Sequence, residues 1–211
     1  MAIYRTVLQN GEGVYEEKRS VFYGACFPVK TEDEALRLLK AEKSRYPDAR
    51  HHVYAYILSD GNLLRYSDDR EPQGTAGMPI LDLLRKSGIT DVLMVVTRYF
   101  GGTLLGTGGL VRAYTAAAKE ALFSSGIAEG KQMTVFSLRL SYSDHPRVQT
   151  LLSGSVSVNG TEYAEDVEVS GMIPSEEYDA FAKALGDATA GRAALTVMKD
   201  EMILVPVVNE E

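Results

Sequence analysis

Five glycines, Gly101, Gly102, Gly106, Gly108 and Gly109, crowd a segment that leaves a strongly apolar stretch, DVLMVV, and runs into a helix-forming one, LVRAYTAAAKEAL. Anion binding is the chemistry that wants such a loop. Without Cβ atoms the backbone can approach a phosphate, and the first N–H groups of a helix lack intrahelical partners and sit at the positive end of its dipole. Thr107 lies among the glycines, and Arg98 and Arg112 flank them as cations. The loop is not a Walker sequence, because Thr107 stands where lysine is required, nor does it match the dinucleotide fingerprint. Glycines placed here would also serve tight packing of a strand against a helix, so both readings stand at this level.

A second polar loop, SDDREPQGTAG, carries Asp68, Asp69 and Glu71, followed by Gly74 and Thr75. Clustered carboxylates hold a divalent cation through oxygens, act as acid and base, or cap the turn that follows. Adjacent residues on an extended chain point apart, so no metal site is expected. The same rule lets at most one of His51 and His52 face any one site. Nucleophilic catalysis finds no support: there is no Gly-x-Ser-x-Gly elbow, and Cys26 lies in an apolar strand-like run. His145 beside Pro146 reads as structural. No catalytic residue and no cofactor are expected.

The elements that position these loops are legible from periodicity. Lys18–Val29 reads as a strand in which Val21, Tyr23, Ala25 and Phe27 share a face. Thr31 and Glu34 form a capping box for a helix over Glu32–Arg45, with Pro47 beyond its end. His52–Leu58 and Leu63–Tyr66 flank the turn Ser59–Asn62. A short helix opens at Thr75 or Gly77 and runs toward Lys86, with Gly88 as its stop. Val92–Val96, continuously apolar, predicts a strand covered on both faces. The longest helix spans Thr107–Ser125. Leu110, Tyr114, Ala117 and Ala121 share one of its faces, while Arg112, Thr115 and Lys119 lie opposite. Further on, a strand at Thr134–Ser141 and a helix at Pro146–Leu152 precede a hairpin across Asn159–Gly160. A helix presenting Tyr178, Phe181 and Leu185 and a last strand over Arg192–Val207 complete a β-α-β-β-α-β order, the ferredoxin-like arrangement.

Charge divides the chain. Net charge is −7 over 211 residues, yet residues 1–130 carry sixteen cations and sixteen anions, whereas residues 131–211 carry six and thirteen. Two domains are therefore expected, 1–130 and 131–211, with a linker near Glu129–Met133. The acidic second part is a poor match for a phosphate backbone, which leaves anion contact to a local patch on the first. No window approaches the roughly 18 apolar residues of a membrane span, the N-terminus lacks a signal layout, and a lone cysteine forms no internal disulfide. A cytoplasmic protein with no membrane partner is expected.

ARHHVYAY (Ala49–Tyr56), SDDREPQGTAGMPIL (Ser67–Leu81), VVTRYFGG (Val95–Gly102) and LGTGGLVRAY (Leu105–Tyr114) together resemble the YigZ/IMPACT family in its bacterial two-domain branch. The resemblance covers essentially the whole length. It implies an α+β protein: an N-terminal ribosomal protein S5 domain 2-like α/β domain followed by a C-terminal ferredoxin-like α+β domain similar to one in elongation factors. The first fold is shared with small-molecule kinases that hold phosphate on a glycine-rich loop. Eukaryotic relatives restrain a translational-control kinase by competing for its activator, so a link to translation or RNA is implied. Arg70 and Gln73 stand where the family usually has glycine and a small residue, and Leu104 where eukaryotic relatives carry lysine.

Two functions are therefore expected to compete. In the first, a non-enzymatic, translation-associated protein contacts RNA, the ribosome or a translation factor through Arg98, Arg112 and the glycine loop. In the second, an enzyme or sensor holds a small phosphorylated ligand on that loop, with Asp68, Asp69 or Glu71 in support. His51, His52 and Lys119 are lesser candidates.

Overall fold

A computed structural model of the chain describes residues 4–207. In chain order its elements are β1 (Arg5–Val7), β2 (Gly11–Glu17), β3 (Ser20–Pro28), α1 (Glu32–Arg45), β4 (His51–Leu58), β5 (Leu63–Ser67), α2 (Gly77–Lys86), β6 (Val92–Tyr99) and α3 (Gly106–Ser125). There follow β7 (Ile127–Leu140), α4 (His145–Leu152), β8 (Ser157–Tyr163), β9 (Val167–Pro174), α5 (Tyr178–Thr189) and β10 (Ala194–Pro206). They group into two compact units, one reaching to Glu129 and taking in the stretch from Leu204, the other Gly130–Ile203. Among the described residues no helix is long and apolar enough to cross a membrane.

The first unit is built on an antiparallel sheet of order β2-β3-β6-β4-β5. Side chains alternate across a strand, and here both faces are buried. Phe22, Val53, Met94 and Val96 meet Ile80, Leu84, Tyr114 and Ala117 of α2 and α3 on one side. Phe27, Tyr56, Leu93 and Val95 meet Ala35 and Leu39 of α1 on the other. β6 is the central strand, which explains its unbroken apolar run. The Thr31 hydroxyl accepts from the Glu34 N–H, while the Glu34 carboxylate reaches the Lys30 N–H, one residue before the cap.

The strand expected over Lys18–Val29 is β3, shortened at its start to Ser20, and a strand that was not expected, β2, precedes it. Lys18 and Arg19, with φ of 46° and 66°, make a two-residue turn that starts β3 at Ser20 and sends β2 backward. β2 escaped the sequence reading because charged residues and glycines dominate GEGVYEE. Its glycines have a packing task, since α3 lies directly on β2 and β3. A Cβ on Gly24 would stand 2.4 Å from the Ala117 carbonyl oxygen, and one on Gly13 2.5 Å from the Ala121 nitrogen.

Asp91, buried at the start of β6, gathers several segments. Its carboxylate accepts from the Ser59 N–H (2.7 Å), the Tyr4 hydroxyl (2.7 Å) and the Lys30 ammonium (2.8 Å). Burial by itself would raise this carboxyl, but the Lys30, Ser59 and Tyr4 donors outweigh it and hold the group below the ordinary carboxylate range. A depressed folded value means stability that is present above about pH 4 and lost as pH falls through the folded value. Urea midpoints measured between pH 6 and pH 3 are expected to fall more steeply for the native chain than for Asp91→Asn. Equal slopes would remove Asp91 from this role.

In the second unit the Met133–Leu140 part of β7 pairs with β9, β9 with β8, and β10 with β7. This is the ferredoxin-like order. Phe136, Leu138 and Val169 from the sheet pack with Val148 and Leu152 of α4 and with Phe181 and Leu185 of α5. Asp144, with Arg192 on one of its oxygens at 2.7 Å, is held below the ordinary carboxylate range.

Two expectations are corrected here. No linker separates Glu129 from Met133, because both lie inside the continuous strand β7. Asn159–Gly160 is not the hairpin turn. It sits within β8 at a register shift between Val158 and Gly160, and the chain reverses at Ala164–Asp166. An Asn-Gly pair suits a bulge as well as a turn, and Ala164 closes the real turn by donating its N–H to the Asp166 carbonyl (3.0 Å). The end of the chain also groups differently from expectation: the Val207 N–H donates to the Ile127 carbonyl at 2.8 Å, within the first unit.

Candidate functional site

The two polar loops meet. Arg98 lies near the end of β6, paired across the sheet with His51 of β4, and both point to the face that α3 covers. A guanidinium there must find a partner, and Glu71 of the second loop supplies it at 2.6 Å. Both side chains are almost fully buried, 6% and 4% exposed. The same Glu71 oxygen accepts from the Tyr114 hydroxyl at 2.7 Å. Burial first, then the Glu71 charge, pushes the Tyr114 phenol far up, so it stays a donor. The Arg98 guanidinium also lies 5.4 Å and 5.6 Å from the centres of the Phe22 and Phe100 rings.

Local chain geometry aims Glu71 inward. Asp69 and Arg70 both take left-handed φ values, 39° and 72°, which turn the loop sharply just before it. The left-handed Arg70 occupies a position where glycine is at home. Asp68 closes the loop, its carboxylate accepting from the N–H groups of Gly74, Ala76 and Gly77 at 2.9, 3.1 and 2.8 Å. It thereby caps α2. Thr75 is buried with its hydroxyl donating to the Pro72 carbonyl. The Asp69 carbonyl lies 2.8 Å from His51 Nδ1. A carbonyl only accepts, so Nδ1 carries the hydrogen and Nε2 is left facing Glu71 at 3.8 Å. His52 turns to the opposite face, against Thr97, where burial lowers its imidazole.

These groups floor a cleft of about 430 Å³. Glu71, Arg98 and His51 form its base, Pro72, Phe100, Leu104, Leu105 and Leu110 its walls, and Arg50, Gly106 and Thr107 its rim. α3 begins at that rim with no side-chain cap from Leu105 and no acidic residue in its first turn. The N–H groups of the first turn therefore stay free of side-chain partners.

Of the residues singled out from the sequence, His51, Glu71, Arg98, Gly106 and Thr107 converge here. The glycines divide by task. Gly101 abuts the Arg19–Ser20 backbone, where a Cβ would sit 2.1 Å from the Arg19 carbonyl carbon, and Gly109 abuts Leu105. Gly102 and Gly106 take φ of 84° and 71°. Gly108 is open, with only the Arg112 guanidinium near its missing Cβ, at 3.6 Å. Arg112 is exposed on α3 outside the cleft lining, Lys119 is exposed further along the helix, and Asp68, Asp69, Gly74 and Thr75 shape the loop. Arg98 itself is not a surface cation but a buried, paired one. Arg50, Phe100 and the Tyr114 hydroxyl were missed. A core tyrosine whose hydroxyl needs a partner was the available signal for the last. Among the described residues no three His, Cys, Asp or Glu side chains converge as a metal site would require.

Comparison with known proteins follows the same division. Residues 18–122 match the Impact N-terminal domain, and residues 138–192 match a domain of unknown function (DUF1949). The chain is 33% identical over 192 residues to the IMPACT family member YvyE of Bacillus subtilis, covering 90% of this chain and 88% of that one. The chain belongs to the IMPACT family. The family member YigZ of Escherichia coli is 31% identical over 89% of this chain and 94% of its own. A member from Thermus thermophilus is 38% identical over 83% and 96%. A crystal structure described as that of a hypothetical protein superposes with a TM-score of 0.59 at 30% identity, covering 95% of this chain and all of that one. The IMPACT-family chain thus joins an S5 domain 2-like α/β unit, which holds the cleft, to a ferredoxin-like unit.

Proposed function

We propose that this IMPACT-family protein is a translation-related regulatory protein whose N-terminal unit binds ribosomal RNA phosphate at the uncapped start of α3. One observation carries the reading: Arg50 and the first residues of α3, whose N–H groups have no side-chain cap, line the same cleft, with Arg112 one turn further along the helix. Both arginines are exposed, and no carboxylate among the described residues pairs with either. Among the described residues no serine or cysteine lines the cleft, and the Glu71 charge is engaged by Arg98 and Tyr114, which supports binding over catalysis.

The test is co-sedimentation with ribosomes at low and moderate salt, comparing the native chain with an Arg50→Ala/Arg112→Ala double variant. Both substitutions are on the surface and leave the Arg98–Glu71 pair untouched. Binding at low salt is expected, weaker at moderate salt and reduced at least ~10-fold in the variant. No binding at either salt overturns the reading. Binding indifferent both to salt and to the variant also overturns it, and assigns the contact to a protein factor.

A further inference from the structure

The cleft holds more than a stray phosphate contact would use. Its five apolar residues border an open cleft whose volume is within the range of small-molecule sites. Two of those wall residues are exposed apolar side chains, Leu104 at 83% and Phe100 at 42%. An anion that only touched the helix start would leave them in water. A second observation at the floor also calls for a ligand. Arg98 is 5% exposed, and among the described residues its Nε is the one buried side-chain nitrogen or oxygen without a hydrogen-bond partner. A buried donor without an acceptor is rare in folded proteins.

The charges of the lining leave a cation in excess. Among the described residues Glu71 is the one carboxylate of the lining, and one of its oxygens already takes two donors. Arg50 and the start of α3 have no such compensation. Apolar walls beside an anion seat define an amphipathic anion of limited size. We infer that the cleft takes one nucleotide unit, its phosphate at Gly106–Gly108 and Arg50 and its base between Phe100, Leu104 and Leu110. This rests on the reading that the start of α3 is the anion-binding face, and adds the class of ligand. The same chemistry has two sources, a free mononucleotide or the phosphorylated end of an RNA.

Gly108→Asp separates folding from binding. The position is helical and its Cβ direction is open apart from Arg112. An aspartate in the first turn favours the helix dipole but repels a phosphate. The probes are AMP, adenosine, inorganic phosphate, and a short RNA with and without a terminal phosphate, read by calorimetry and by the melting temperature. AMP is expected to bind the native chain, adenosine and phosphate each at least ~10-fold more weakly, and Gly108→Asp to lose AMP at an unchanged or higher melting temperature. Leu104→Asp should weaken AMP as well. Terminally phosphorylated RNA binding more tightly than AMP assigns the site to an RNA end, and equal or weaker binding assigns it to the free nucleotide. No binding of AMP or of either RNA, or binding unchanged in Gly108→Asp, overturns the inference. If the native chain binds no nucleotide yet still sediments with ribosomes, this inference fails alone. If AMP binds and ribosomes do not, the ribosome reading fails alone.

Discussion

Arg98→Ala is expected to lower the stability of the chain by about 3–5 kcal/mol, because it leaves the Glu71 carboxylate buried without its cation. Glu71→Ala should cost about as much, by stranding Arg98 and freeing the Tyr114 hydroxyl of its acceptor. The sum of the two single effects should greatly exceed the effect of the double variant Arg98→Met/Glu71→Leu, since replacing both members of a buried pair by apolar groups is often near neutral. Urea unfolding of the native chain and the three variants makes the comparison. Additive losses, or a loss below about 1 kcal/mol for Arg98→Ala, would show that the pair does not hold the cleft floor. Loss of ligand binding in an Arg98 variant therefore reports the floor as a whole.

The second large effect is expected at Gly24. Gly24→Val introduces a Cβ 2.4 Å from the Ala117 carbonyl oxygen and 3.1 Å from the Ala121 Cβ. The obstacle is helix backbone, which cannot swing aside like a side chain, so α3 must lift from the sheet. Overpacking of this kind costs about 3 kcal/mol or more. Because the start of α3 is the rim of the cleft, the same variant should also weaken binding there while leaving the ferredoxin-like unit folded. Chemical denaturation followed by a probe in each unit separates these. A native-like midpoint for the first unit would mean that the helix and sheet are less closely opposed.

Both units were largely readable because their apolar patterns are strong: the Val92–Val96 run, the Ala-rich face of Leu110–Ala121 and the Phe136–Leu140 alternation each have one structural solution. Failures fell where residue type and backbone task diverge. GEGVYEE carries strand geometry on charged residues and glycines because α3 needs bare backbone beneath it. Asn159–Gly160 has turn chemistry but is used as a bulge. The site was half legible. The arginine and the glycines stood out, but sequence spacing cannot say that Glu71, twenty-seven positions from Arg98, folds onto it. Nor can it say that Arg98 is thereby buried. Arg50 was hidden beside two histidines that drew attention first.

That burial bears on how a partner would arrive. Arg98 is neutralised inside the protein, so at the proposed site Arg50, Arg112 and a helix terminus are left to displace condensed counterions from a nucleic acid. Log K should then fall with log salt at a slope of about −1 to −2, against about −10 for a protein that clamps many phosphates. With a net charge of −7, long-range steering would not draw a polyanion in, and association would run at an unassisted ~10⁵–10⁶ M⁻¹s⁻¹. Such an interaction is found by collision, persists at physiological ionic strength, and owes its selectivity to the shape of what is held.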